Sequence, residues 1–240
     1  MTKNNSEAIA EKDSFSISNM QRRQFLQFAG ASMALTMGLI SCKKEEIPAT
    51  TPYINTDNTI DFKDDTGLLN YIYALEQIEA AFYVKATANL PASFTPTQVL
   101  FFNDIKLHEI AHREFFKRFL GVTAIGVLEI DFSGIDFTDA TAVLNAARTF
   151  EDLGVAAYND AIVRCKNDYN LILLSQVATV EARHAAFVCS QVSALSFADL
   201  TELAPLGADA TNALDVMLAP GKVLEQASKY IKTKLNIINL

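Results

Sequence analysis

The chain has 240 residues, half of them hydrophobic and a fifth charged, with no tryptophan, three cysteines and a net charge of −8. Such a composition predicts a buried core rather than disorder. Its acidic balance disfavours nucleic acid as a partner, because phosphate backbones are repelled.

Residues 1–41 read as an export signal. The run Arg22-Arg23-Gln24-Phe25-Leu26, followed by apolar residues, resembles a twin-arginine signal. The apolar stretch from Phe25 to Ser41 is short of the roughly 20 residues that cross a bilayer. It ends in Leu39-Ile40-Ser41-Cys42, which resembles a lipoprotein box in which Cys42 carries the lipid. An ordinary membrane anchor, or a signal cleaved without lipidation, is the competing reading. The lipoprotein reading places the protein in the periplasm or cell envelope, held to a membrane by an N-terminal lipid. Removing Lys3, Lys12, Arg22 and Arg23 along with Glu7, Glu11 and Asp13 leaves the mature chain near −9. Residues 42–64, polar and rich in Thr and Pro, read as a tether.

Apolar residues then recur at helical spacing in four segments, predicting an all-α bundle over 65–193. The first helix runs from about Asp65 to Thr87, behind Asp64-Asp65-Thr66 as its cap region. The second starts at Thr95-Pro96 and ends at Gly121, with proline in a favoured first-turn position. The third runs from Thr138-Asp139 to Lys166, and the fourth from Asn170 to Ser193. Helices one and two are joined by the short Leu90-Pro91-Ala92-Ser93 loop, and three and four by a polar turn. The long stretch from Val122 to Phe137 joins two and three. Short, long, short is the pattern of a four-helix bundle with one long crossover.

Cys165 lies near the turn between helices three and four, and Cys189 some twenty residues beyond it. In an antiparallel hairpin that separation is about 30 Å, which predicts no disulfide between them.

The chemistry is concentrated on the inward faces. Glu109-x-x-His112 in helix two and Glu181-x-x-His184 in helix four each put a carboxylate and an imidazole one turn apart, within otherwise apolar seams. Glu76 and Glu79 lie on the corresponding seam of helix one, and Glu151 on that of helix three. The halves echo each other: Tyr83 follows Glu76 by seven residues, and Tyr158 follows Glu151 by seven. Glu76, Glu109, His112, Glu151, Glu181 and His184 thus form a six-ligand cage for two metal ions, with Glu79 as an extra whose internal counterpart is Gly154. Buried carboxylates cost several kcal/mol each unless paired or coordinated. Oxygen ligands with one imidazole per ion suit iron or manganese. Tyr83 and Tyr158 are placed to hydrogen-bond ligands or carry electrons, with core packing as the default role.

Three other readings compete. The carboxylates could be buried salt bridges to Arg113, Arg183 and similar cations. His108-Glu109-Ile110-Ala111-His112 also satisfies the zinc-protease pattern, with Glu109 as base. That reading leaves the second Glu-x-x-His and the remaining glutamates unexplained. Finally, the bundle could be a non-enzymatic envelope protein in which metal is structural or absent.

With these residues in view, the chain resembles the ferritin-like superfamily, and within it a family containing exported bacterial proteins called desiccation-related. The resemblance is carried by Leu75 to Tyr83, His108 to Phe116, Glu151 to Tyr158 and Val180 to Phe187. It implies a di-iron or di-manganese bundle whose chemistry is oxidation of ferrous iron or removal of peroxide, with metal ions and O2 or peroxide as partners. A homodimer is compatible with it. A lipid tether fits poorly with a closed iron-storage shell. Residues 194–240 read as a partly helical tail. There Leu214, Met217, Leu218, Val223, Leu224 and Ile231 are able to pack on the bundle, and a last helix runs over 222–235, after a break at Pro220-Gly221.

Overall fold

Each of the four long helices begins on a side chain that satisfies its free N–H groups. Asp64 caps α1 (Asp65–Ala88), accepting from the N–H groups of Thr66 and Gly67. Thr95 and Gln98 form a capping box at α2 (Pro96–Leu120). Asp139 caps α3 (Ala140–Arg164), and Asn167 caps α4 (Asp168–Val192). The fourth helix therefore starts before Asn170: Asn167 is its cap rather than a turn residue. The computed structural model describes Asn55 and residues 57–240. The export signal, Cys42 and most of the tether lie outside the described residues.

The chain folds as an all-α bundle in which α1 packs along α2, α3 along α4, and α1 against α3. The crossover from α2 to α3 passes along α1, and two α1 side chains supply four of its hydrogen bonds. The Asn70 side chain accepts from Ile125 N–H at 2.7 Å and donates to Thr123 O at 2.9 Å. The Gln77 amide accepts from Leu128 N–H at 2.8 Å and donates to Gly126 O at 3.3 Å. Two buried amides on a helix thus do the work of a neighbouring strand. Below them Phe82, Phe132, Phe150 and Tyr230 form an aromatic cluster, with Phe82 and Phe150 centroids 4.9 Å apart and Phe150 and Tyr230 4.7 Å apart.

Three expectations need correction. The tether does not extend to residue 64: Thr59–Asp61 form a strand, β1, whose Ile60 is fully buried. Gly67 lets α1 start hard against it, since a Cβ there would lie 1.7 Å from Asp61 O. The last helix is also shorter and earlier than 222–235. Pro220 does not break it but opens it at the first position, giving α5 (Pro220–Ala227). The chain then turns extended: Lys232 N–H donates to Glu129 O, Asp131 N–H donates to Tyr230 O, and β2 (Asn236–Ile238) pairs in parallel with β1. Ile231, Thr233, Ile237 and Ile238 are β-branched and suit that conformation. Along 214–218, outside any helix, Val216 is buried while Leu214 and Met217, expected to pack, are exposed.

Asp65 fastens the far end of the bundle. Its carboxylate accepts from the backbone N–H groups of Lys166 and Asn167 at 3.0 and 2.9 Å and from the Asn170 amide at 3.1 Å, holding the α3–α4 turn against α1. Burial opposes ionisation, but these donors outweigh it and hold the carboxyl below its usual range. We predict that Asp65→Ala costs about 2 kcal/mol in urea denaturation at pH 7. The contribution is whole above the ordinary carboxylate pKa near 4 and is lost as pH falls through the depressed folded value. A penalty that persisted at pH 2.5 would show that the charge is not the cause. Cys165 and Cys189 are both free.

Candidate metal centre

The helical spacing that placed Glu76, Glu79, Glu109, Glu151 and Glu181 on inward seams brings all five to the centre of the bundle, each at most 3% exposed. His184 is buried with them, and the His112 side chain is 13% exposed. Ligand atoms from Glu76, Glu109, His112 and Glu181 fall within 4.8 Å of one another, and so do those from Glu109, Glu151, Glu181 and His184. Glu109 and Glu181 belong to both groups.

The contacts explain why. Glu109 directs Oε1 to within 2.8 Å of His184 Nδ1 and Oε2 to within 3.6 Å of His112 Nδ1. Glu181 does the reverse, with Oε1 2.7 Å from His112 Nδ1 and Oε2 3.7 Å from His184 Nδ1. Glu76 and Glu151 each offer one oxygen to the centre, 3.6 Å from His112 and His184 respectively. Their other oxygens accept hydrogen bonds from the opposite half: Tyr158 of α3 donates to Glu76 of α1, and Tyr83 of α1 donates to Glu151 of α3 at 2.5 Å. Burial, reinforced by the adjacent carboxylates, raises both phenols well above their usual range, so they remain donors.

Electrostatically the protein groups do not balance one another. Burial pushes Glu76 and Glu79 well above the usual carboxylate range and Glu151 up to about 8. For Glu181, burial is overcome by His112 and His184, which pull it down to about 2. Burial would likewise lower His112, but Glu76, Glu109 and Glu181 carry it up to about 11. The arginines of the competing salt-bridge reading are placed elsewhere: Arg113 pairs with Glu114 at 2.9 Å, and Arg183 is exposed.

Among the described residues, nine buried donor atoms in this cluster have no hydrogen-bond partner: Oε2 of Glu76, Glu79 and Glu151, both oxygens of Glu109 and of Glu181, and Nδ1 of His112 and His184. The 2.7 and 2.8 Å approaches among them lack the alignment of a hydrogen bond, so the atoms converge on shared points rather than on each other. Buried polar atoms left in that state are costly, and cations at those points would satisfy them. The oxygen and imidazole donors fit iron or manganese.

Glu79 stands apart from the two groups. It occupies room that Gly154 leaves, since a Cβ at 154 would lie 2.6 Å from Glu79 Oε1. The asymmetry visible in the sequence is therefore a complementary pair, a carboxylate on α1 opposite a glycine on α3. We predict that Gly154→Ala costs about 1–3 kcal/mol through overpacking, less up to about 1 kcal/mol of helix propensity. In a Glu79→Ala background the same change should be neutral or stabilising. Equal costs in both backgrounds, measured by urea unfolding of metal-free protein, would refute the pairing.

His108 does not join His112. Among the described residues no group with ligand spacing contains it, and its Nδ1 lies 2.9 Å from Nε2 of His184. His108 is engaged with His184 instead, a contact that depends on α4 and that spacing within α2 does not reveal.

The family model described as Ferritin-like domain matches residues 64–194. No curated protein matches the chain.

Proposed function

The chain belongs to the ferritin-like domain family, and from that premise we propose that it is an exported di-metal carboxylate protein that oxidises ferrous iron or removes peroxide. The observation that carries the proposal is the convergence of eight unpartnered buried donor atoms on two overlapping ligand groups, with Glu79 beside them. Glu76, Glu109, His112 and Glu181 would hold one ion, and Glu109, Glu151, Glu181 and His184 the other. Iron or manganese held as such a pair supplies two-electron redox chemistry.

The protein's own part is to position and to exclude. Tyr158 and Tyr83 each fix the outer oxygen of a terminal carboxylate, which leaves the inner oxygen committed to the centre. Glu79, buried and three residues from Glu76, is an acid placed to exchange a proton with the centre. The cavity beside it, lined by Leu75, Ile78, Glu79, Phe150, Leu153, Gly154 and Ala227, measures about 10 Å³, about the space of one water. Export is supported by Arg22-Arg23 and the box ending in Cys42.

The test is elemental analysis of the purified chain, with anomalous scattering at the iron and manganese edges, followed by oxygen and peroxide consumption after addition of ferrous iron. A protein that takes up neither metal sinks the proposal. One that binds metal without turnover supports the structural alternative. For export, Cys42→Ser should move the protein from the membrane to the soluble fraction.

A further inference from the structure

His108 lies exposed on α2, and its ring is stacked near the buried ring of His184 on α4, with centroids 5.1 Å apart and planes 21° apart. Two imidazole nitrogens 2.9 Å apart, His108 Nδ1 and His184 Nε2, share one proton. The other nitrogen of His184, Nδ1, faces Glu109 at 2.8 Å and Glu151 at 3.6 Å, and it must be free of a proton to receive a metal. The shared proton therefore belongs to His184 Nε2, which donates to His108 Nδ1, and the proton of His108 sits on its outward Nε2.

The internal echo supplies the second half of the argument. A shift of 72 residues relates Glu109 to Glu181 and His112 to His184, but it relates His108 to Val180. Valine has no hydrogen-bonding side chain, so the device exists in one half of the centre only. We infer that His108 is a positioning residue that fixes the tautomer and ring plane of His184, making the metal position at Glu109, Glu151, Glu181 and His184 tighter than its twin at Glu76, Glu109, Glu181 and His112. The inference rests on the di-metal reading. Outer partners of metal-ligating histidines are typically worth 10–100-fold in affinity.

The experiment is titration of the chelator-stripped full chain with manganese(II), followed by calorimetry and by the manganese EPR spectrum. Wild type should bind in two steps separated by about tenfold or more. His108→Leu should weaken the tighter step by about 10–100-fold and bring the two together. His108→Gln, whose amide oxygen can accept the same proton, should restore the separation. Unfolding in urea reports whether each variant is folded. Two equal steps in wild type, an unchanged separation in His108→Leu, or a loss that His108→Gln does not recover would each overturn the inference while leaving the di-metal reading intact. No uptake at all would overturn both.

Discussion

Replacing Glu109 or Glu181 with alanine is expected to abolish binding of both metal ions, whereas replacing Glu76 or Glu151 removes one ion and weakens the other. The difference lies in where the oxygens go. Glu109 and Glu181 each send one oxygen toward His112 and the other toward His184, and both belong to each of the overlapping ligand groups. Losing either carboxylate strips a donor from both positions and leaves the remaining groups unbalanced. Glu76 and Glu151 each serve one position and spend their second oxygen on a tyrosine of the opposite helix. Metal per chain after dialysis against excess manganese or ferrous iron reads the outcome directly. Full metal content in Glu109→Ala, or complete loss in Glu76→Ala, would contradict the bridging assignment. Tyr83→Phe and Tyr158→Phe should be milder, lowering affinity by about 10–100-fold without changing the number of ions.

Much of this arrangement could be read in the sequence because it is written in helical periodicity. Glu76, Glu109, Glu151 and Glu181 interrupt apolar seams that must face inward, and ionisable groups in such places demand an explanation. The short, long, short spacing of the helices follows from Leu90-Pro91-Ala92-Ser93, the crossover and the turn before Asn167. What was not legible depends on partners distant in sequence. Asn70 and Gln77 look like ordinary polar residues on α1; only the crossover passing over them gives their amides a task. The pairing of Thr59–Asp61 with Asn236–Ile238 joins three-residue strands from opposite ends of the domain, too short to carry a periodic signal. Leu214 and Met217 lie outside any helix, where the helical spacing that suggested packing does not apply. The reach of His108 to His184 likewise depends on how α2 and α4 are set together.

Stripping metal from the protein is expected to lower its melting temperature by roughly 10 °C. At a metal concentration about a thousandfold above Kd, binding to the folded state contributes about 4 kcal/mol. For a chain of this size each kcal/mol shifts the midpoint by about 2–4 °C, which gives roughly 8–16 °C. The metal-free bundle must bury Glu76, Glu79, Glu109, Glu151 and Glu181 around His112 and His184 with nine donor atoms unpartnered, so that state should persist but at lower stability. Protons compete for the same atoms. In the metal-free protein burial holds Glu151 up to about 8, and the neighbouring carboxylates, against burial, hold His112 at about 11. Metal entry must displace those protons, so affinity rises with pH and falls as pH is lowered. The gap in melting temperature between loaded and stripped protein should therefore widen from pH 6 to pH 8. Calorimetric scans with and without chelator, at matched ionic strength, measure it. A gap that is absent, or that is larger at pH 6 than at pH 8, would mean that cations are not what these carboxylates are arranged to hold.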